Sequence, residues 1–131
     1  MREMAFSMKP IGVVRHTAPA VPRHWSVSAI EGELVIDEAY VPGICDIQAG
    51  ERIVVLFVFH RSLPFTPAHL HQTPPTRDHP RGVFSICSPI RPNPIGLSVL
   101  EVLGVDGATI RVRGLDMLDG TPILDIKPQK G

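Results

Sequence analysis

Three groups of residues in this sequence have the types and the spacing that binding or catalysis requires. The first is SPIRPNPIGLS, Ser88 to Ser98, in which three prolines surround Arg91 and Asn93. Because each proline fixes φ at about −65° and removes a backbone donor, the segment has few conformations. It predicts a rigid loop that presents Arg91 and Asn93 to a ligand. The alternative is a plain turn between two strands, which is what proline-rich loops often are.

The second group is GLDMLDGTPILDIKP, Gly114 to Pro128, which contains Asp116, Asp119 and Asp125. The DGTP sequence predicts a turn in which Asp119 caps its own backbone. One Asp and one Gly suffice for such a turn, so the additional acids indicate a site that holds hydroxyl groups or tunes a proton transfer. Asp119 and Asp116 are therefore the candidate catalytic residues.

The third group is the histidine-rich segment from His60 to Arg81, which contains four of the six histidines. His69 and His71 form an HxH pattern, which on a strand would point both rings to one side, and His60 or His79 would be a third ligand. Exposed loop histidines are also common in proteins without metals. We therefore assign no metal, and a small metal-dependent barrel is the least favoured alternative.

The two cysteines, Cys45 and Cys87, are too few for a disulfide framework. Cys87 precedes Ser88 at a predicted strand end, where a nucleophile would need an activating base, and no triad is recognisable. A lone cysteine in an apolar context is usually a small buried residue. Both thiols are expected to be reduced.

Length and charge limit the function further. A chain of 131 residues is one domain by length, and it can bury about two thirds of its unfolded surface. Its 13 basic and 13 acidic side chains cancel, so only local positive patches can hold a nucleic acid. The N-terminal sequence MREMAFSMKP lacks the apolar core of a signal peptide. No apolar run approaches the roughly 20 residues that span a bilayer, so we expect a cytoplasmic protein without membrane contact.

Short runs rich in Val and Ile, separated by Gly, Pro or Asp, predict strands and almost no helix. They are IGVVR (11–15), ELVI (33–36), RIVVLFVF (52–59), GVFSI (82–86), LSVLEVLGV (97–105) and ATIRVRGL (108–115). Since no helical crossover separates consecutive strands, the sequence predicts an all-β fold of a single domain, 1–131. We expect a small, mostly antiparallel, closed or nearly closed β-barrel with a long irregular loop from His60 to Arg81.

Two of these runs carry sharper predictions. TIRVRGL alternates apolar residues with Arg111 and Arg113, which predicts a strand with one face in water. IVVLFVF is apolar on both faces, which predicts a central strand. The VDG sequence before the last run predicts a tight hairpin, because Asp-Gly tolerates the positive φ of such a turn.

GVFSICSPIRPNPIGLSVLEV followed by GLDMLDGTPILDIKP closely resembles the TsaA-like family, also called the TrmO or VirR family. The family pattern is GVFATRSPxRPNPIGLS and then DLxDGTPVLDIKPY. IGVVR, VPRH in place of PRQ, and FVFHR extend the resemblance over about the whole chain. It implies a β-barrel that binds S-adenosylmethionine outside the Rossmann arrangement, as a homodimer with the cofactor near the interface. It also implies methylation of N6 of N6-threonylcarbamoyladenosine at position 37 of tRNA.

The resemblance further implies which residues contact the cofactor. They are Pro22, Arg23, His24, His60, Arg61, Cys87, Arg91, Asn93, Leu97, Asp119, Gly120, Thr121 and Pro122. Cys87 stands where the family has Arg. Methyl transfer is an in-line displacement at carbon, to which the protein contributes mainly alignment. Asp119, in preference to Asp116, is expected to serve the cofactor or to accept the N6 proton.

Two further expectations concern the partners of the chain. Local positive charge is expected to hold tRNA, through Arg15, His16, Arg23, His24, Arg77, His79 and Arg81. Trp25 is the obvious aromatic residue for stacking on a base. The alternative function is a regulatory or sensing module that binds S-adenosylmethionine without turnover, which Cys87 favours.

Overall fold

In a computed structural model of the chain, residues 4–130 are described, and eight strands account for most of the regular structure. They are β1 (Gly12–Arg15), β2 (Glu31–Ile36), β3 (Arg52–Val58), β4 (His71–Gln72), β5 (Arg81–Gly82), β6 (Ile95–Asp106), β7 (Thr109–Arg113) and β8 (Pro122–Pro128). Four short 3-10 helices cover Trp25–Val27, Glu38–Ile44, Pro67–Leu70 and Val83–Ser85. Within residues 4–130 no helix has the length and apolarity that crossing a membrane requires.

Six of the strands form a closed barrel in the order β1-β2-β7-β6-β3-β8. β1 is antiparallel to β2 and β8, β7 is antiparallel to β2 and β6, and β3 is antiparallel to β8. Asp106 pairs with Thr109 across the β6–β7 hairpin, where Gly107 has φ 60°. The predicted all-β antiparallel barrel and the hairpin at VDG are therefore confirmed.

The barrel interior is filled by the residues that alternate inward along the strands. β7 buries Ile110 and Val112 and exposes Arg111 and Arg113, as its pattern predicted. Only one face of β3 is buried, and Val54, Leu56 and Val58 on the other face are half-exposed. The largest fully buried side chains are Leu34, Leu100, Ile110, Leu115, Ile123, Val14, Val55, Val83, Val102 and Val112.

The described residues group into two compact units. The barrel unit comprises the residues up to Phe57 and those from Leu97 onwards, and the second unit is Val58–Gly96. The second unit contains the two-stranded β4–β5 sheet and two of the 3-10 helices. The segment predicted as a long irregular loop thus has short regular elements, while the single domain stays a prediction.

One strand prediction was wrong, and one strand was missed. GVFSI was expected to form a strand, but β5 ends at Gly82 and a 3-10 helix follows, in which Val83 is buried and Phe84 is exposed. The 3-10 turn closes through the Ile86 N–H, which donates to the Val83 carbonyl, so a ladder partner is not needed. β8 was not among the predicted strands, and in it Asp125 forms a 3.0 Å ion pair with Lys127.

The route from β7 to β8 determines where the site lies. These two strands are not neighbours, since β2 and β1 lie between them in the barrel. The connecting residues 114–121 therefore pass the barrel end at which β1 and β7 finish and β2, β6 and β8 begin. Three segments with candidate site residues lie at or near this end: the Pro22–His24 segment, the start of β6 at Leu97 and the 114–121 connection.

Gly32 in β2 allows close approach at the same end of the barrel. A Cβ placed on Gly32 would lie 2.6 Å from the Arg15 carbonyl oxygen and 2.6 Å from Leu115 Cδ1. We expect Gly32→Ala to lower the free energy of unfolding by about 2 kcal/mol, because the backbone must shift to relieve this overlap. Denaturant unfolding measures the change. Gly43→Ala is the matched control, since a Cβ there meets no atom within 4 Å; equal losses in both variants would contradict the explanation.

Candidate functional site

The connection between β7 and β8, residues 114–121, is held by backbone and side-chain groups of two other segments. The N–H groups of Gly114 and Leu115 both donate to the Ile30 carbonyl, at 2.9 and 3.2 Å. Ser28 Oγ donates to the Leu115 carbonyl at 2.6 Å. These bonds fix the start of the connection against the segment that leads into β2.

His16, just after β1, holds the middle of the connection. Its Nδ1 accepts the Ala18 N–H at 3.1 Å, so Nε2 carries the proton and donates to the Met117 carbonyl at 2.7 Å. Its backbone N–H donates to Asp119 Oδ1 at 2.9 Å. Asp119 was expected to cap its own turn, but it caps the end of β1 instead. Within residues 4–130, Asp119 Oδ2 makes no hydrogen bond.

The DGTP turn uses most of its own polar groups. Gly120 has φ 85°, a conformation that a residue with a Cβ rarely adopts, and its N–H donates to the Val14 carbonyl. Thr121 is 3% exposed, and its hydroxyl donates to the Leu118 carbonyl at 2.6 Å. The turn therefore offers a ligand the exposed Asp119 and Gly120 and the half-buried Pro122, but not the Thr121 hydroxyl.

Asp116 has a different environment from Asp119. It is half-buried, and Ser98 Oγ donates to its Oδ1 at 2.5 Å. Burial raises the pKa of the Asp116 carboxyl above its ordinary value of 3.8. The Ser98 hydrogen bond and the backbone N–H groups of Asp116 and Trp25 oppose this effect without cancelling it.

The segment Pro22–His24 ends at the N-cap of a 3-10 helix. The Ser26 N–H donates to His24 Nδ1 at 3.2 Å, and Ser26 Oγ lies 2.7 Å from the same nitrogen. The His24 Nε2 atom therefore carries the proton, and it has no hydrogen bond to the rest of the described chain. Arg23 is exposed, and the Trp25 ring lies 5.0 Å from the His24 ring.

At the start of β6, alternation separates Leu97 from Ser98. Leu97 is 53% exposed and faces outward, whereas Ser98 is fully buried. Through Ser98 and Asp116 the structure links β6 with the 114–121 connection, and the backbone N–H of Trp25 acts on the same carboxyl. The predicted site residues of the barrel unit thus come from segments in mutual contact.

The second unit contains the other predicted residues. The Arg91 guanidinium donates to the carbonyls of Ile86 and Ser88, at 2.9 and 3.2 Å, and lies 5.9 Å from the Phe84 ring centroid. Arg91 therefore stiffens its own loop as well as lining a surface. The side-chain amide of Gln72 donates to the Ile90 carbonyl at 2.9 Å and braces the same loop.

Around this loop the second unit has a cavity of about 350 Å³, lined in part by His60, Arg91 and Phe65. Asn93 is exposed, and so is Arg61. Cys87 is exposed as well, so the interpretation of this thiol as a small buried residue was wrong.

The histidine pattern forms no metal centre in the described part of the chain. No group of three or more His, Cys, Asp or Glu side chains lies close enough together there to hold a metal ion. His69 Nδ1 instead accepts the Thr66 N–H at 3.0 Å and caps the 3-10 helix Pro67–Leu70. The HxH spacing thus reflects a capped turn followed by β4.

The fold and the site define a small antiparallel barrel protein with an acidic turn at one end of the barrel. The model of the family described as the tRNA-methyltransferase O N-terminal domain, TrmO_N, matches residues 14–130. The chain belongs to this family.

Individual relatives agree with this assignment. An S-adenosyl-L-methionine-binding protein of Archaeoglobus fulgidus is 40% identical over 123 residues, covering 92% of this chain and 86% of that protein. The tRNA (adenine(37)-N6)-methyltransferase of Escherichia coli is 34% identical over 135 residues, covering 95% of this chain. The crystal structure of TrmO from Pseudomonas aeruginosa matches 97% of this chain with a TM-score of 0.75 and 31% identity. This chain spans 57% of each of the last two proteins.

Sequence reasoning missed two residues that shape the site. His16 was assigned only to a positive patch, and Ser98 was read as part of a strand. Ser98 had a usable signal, because a hydroxyl in the apolar run LSVL must find a partner if it is buried. His16 had no such signal, since the residues it holds, Met117 and Asp119, are more than 100 residues away in the chain.

The raised pKa of Asp116 predicts a pH-dependent stability. Because the folded state holds this proton more tightly than the unfolded state, the contribution is fully present below pH 3.8 and is lost as pH rises through the folded pKa. Asp116→Asn has no such proton. We expect the free energy of unfolding of this variant to rise relative to the original chain as pH increases across that range. Denaturant titrations at a series of pH values measure the difference, and a difference that is constant or falls would contradict the prediction.

Proposed function

We propose that the chain binds S-adenosylmethionine and transfers its methyl group to N6 of adenosine 37 in tRNA. The accepting nucleoside is N6-threonylcarbamoyladenosine, and the reaction takes place in the cytoplasm. The observation that supports this most directly is family membership over residues 14–130. It is reinforced by relatives named for S-adenosylmethionine binding and for adenine(37)-N6 methylation.

The polar atoms left over at the barrel end fit this ligand. His24 Nε2 is a donor suited to the carboxylate of the cofactor. Leu97, 53% exposed, is an apolar surface for a flat base. The proposed contacts in the barrel unit are Pro22, Arg23, His24, Leu97, Asp119, Gly120 and Pro122, whereas the buried Thr121 supports the turn from within. Those in the second unit are His60, Arg61, Cys87, Arg91 and Asn93.

The residues of the chain contribute alignment and a proton acceptor. S-adenosylmethionine supplies a methyl group on a positively charged sulfur, and its transfer to N6 requires that this nitrogen lose a proton. A ureido-linked N6 is a weak nucleophile while its lone pair is delocalised, so a base close to it matters. Asp119 fits this role, because the His16 N–H fixes one carboxylate oxygen and leaves Oδ2 available.

For stacking on a base of the tRNA, we replace the expected Trp25 of the barrel unit by Phe84, the most exposed aromatic residue of the second unit. Phe84 is 77% exposed beside the Arg91 guanidinium, whereas Trp25 is half-buried. Arg77 and His79 are exposed in the same unit and supply positive charge for phosphates. The His16 ring is already bonded within the protein, so we no longer assign it to tRNA binding.

A second candidate is a module that binds S-adenosylmethionine without turnover. Two observations favour it: Cys87 stands where the family pattern has Arg, and the 40% identical relative is named only as a binding protein. Both candidates share the ligand, so they differ in the methyl-transfer step alone.

We further propose a homodimer with the site near the interface. Val27, Leu97 and Leu118 are large apolar side chains exposed beside the site segments of the barrel unit, as a surface covered by a second copy would be. Sedimentation of the full chain at micromolar concentration tests this, and a monomer there would overturn it.

The catalytic proposal predicts both binding and turnover. Calorimetric titration is expected to show binding of S-adenosylmethionine and S-adenosylhomocysteine, and methyl transfer is expected to need tRNA that carries N6-threonylcarbamoyladenosine. Asp119→Asn is expected to lower kcat by about a hundredfold, because it removes the proton acceptor. Asp46→Asn, at an exposed acid, is the control. Absence of binding rejects the function; binding without transfer selects the second candidate; an unchanged kcat in Asp119→Asn rejects the role of Asp119.

The tRNA surface predicts a selective effect of Phe84. Phe84→Ala is expected to raise KM for tRNA about tenfold, as loss of one stacked base would, with KM for S-adenosylmethionine unchanged. Phe6→Ala is the matched control, because Phe6 is 78% exposed and lies outside the second unit. Steady-state kinetics at two salt concentrations measure both constants, and equal effects of the two variants would contradict the assignment.

A further inference from the structure

Ser98 has a buried hydroxyl group, which connects β6 to Asp116 of the 114–121 connection. It lies in β6 between exposed Leu97 and buried Val99 and is itself fully buried. Its Oγ donates to Asp116 Oδ1 at 2.5 Å. Removing the acceptor would leave this hydroxyl unsatisfied in the barrel interior, which is costly.

The other side of Asp116 faces the segment that includes His24 and Trp25. The backbone N–H of Trp25 favours the ionised carboxyl. The segment also lies close to the start of the 114–121 connection, because the Trp25 carbonyl oxygen is 3.9 Å from where a Cβ on Gly114 would be. Asp116 therefore lies between β6 and the Pro22–His24 segment.

Along the chain, Asp116 is flanked by residues that are bonded elsewhere. Leu115 accepts from Ser28, and Met117 accepts from His16. The DGTP turn begins three residues after Asp116. One carboxylate thus has fixed relations to three of the segments assigned to cofactor binding in the proposed function.

We propose that Asp116 is a positioning residue for the cofactor site, acting through Ser98 and the segment at Trp25. Its carboxylate keeps Leu97, the Pro22–His24 segment and the DGTP turn in one arrangement. This inference rests on the proposed function. It assigns Asp116 to alignment rather than to chemistry, because Asp116 is half-buried and accepts from the buried Ser98 hydroxyl, whereas Asp119 lies exposed on its turn.

Three variants separate alignment from chemistry. Asp116→Asn keeps an oxygen that can accept from Ser98, Asp116→Leu keeps the shape without an acceptor, and Ser98→Ala removes the donor. Calorimetric titration with S-adenosylhomocysteine is expected to give a Kd within about threefold of the original chain for Asp116→Asn. Asp116→Leu and Ser98→Ala are expected to weaken binding about tenfold, the effect of a lost hydrogen bond to a charged group. Asp46→Leu is the control at an exposed acid.

A ligand-free measurement keeps the inference separate from the proposed function. Trp25 is the single tryptophan of the chain, so its fluorescence reports on this segment alone. In Asp116→Leu we expect a changed Trp25 emission and faster hydrogen exchange over residues 22–27, with unchanged exchange in β3 and β8. Uniformly faster exchange would instead indicate a general loss of stability and would overturn the positioning role.

The outcomes divide as follows. If the original chain does not bind S-adenosylhomocysteine, the proposed function fails, and the exchange data alone decide whether the tie exists. If the original chain binds and Asp116→Leu binds equally well, the positioning role is wrong. If Asp116→Asn binds normally but its kcat falls about a hundredfold, Asp116 is a proton acceptor and the inference is overturned.

Discussion

The chain must cross the end of the barrel between β7 and β8, and the polar groups of that crossing must be satisfied. Because β2 and β1 separate these strands, no ladder is available to residues 114–121. Their partners come instead from Ile30 and Ser28 before β2, and from Val14 and His16 at the end of β1. No buried side-chain nitrogen or oxygen in the described part of the chain lacks a hydrogen-bond partner. The candidate site is therefore built on a connection whose polar groups are bonded to neighbouring segments.

This satisfaction of polar groups decides what remains for a ligand. The Thr121 hydroxyl and the Gly120 N–H are used within the fold, so they support the turn rather than a bound molecule. What is left is a small set of atoms, chiefly His24 Nε2 and Asp119 Oδ2, each on a side chain whose other polar atom is already bonded. A side chain fixed at one atom and free at the other loses little freedom when it binds, which is how a loop can be preorganised.

Local patterns in the sequence predicted the parts of the fold that depend on local physics. Alternation in β7 and the Asp-Gly turn after β6 were correct, because each reflects a few neighbouring residues. The 3-10 helix at Val83 was missed, because apolar content alone does not distinguish a strand from a turn. Strand β8 was missed, because its acidic residues make the sequence less typical of a strand. The resemblance assigned the motif segments of the barrel unit to one cofactor site, and this assignment stays a prediction. The bonds of His16 were out of reach, because closure of the barrel, not sequence spacing, brings β1 to the turn.

Asp116 and Asp119 show why residue type and spacing were insufficient to assign roles. Both lie in one eight-residue connection and both are acids, yet one is half-buried against a buried hydroxyl and the other is exposed with a free oxygen. Burial raises the pKa of Asp116, which alone would suit a proton acceptor. A base must also reach its substrate, and a carboxylate engaged between β6 and the Trp25 segment is less able to do so than one on an exposed turn. Geometry therefore takes precedence over the direction of the pKa shift, and the proposed function assigns alignment to Asp116 and chemistry to Asp119.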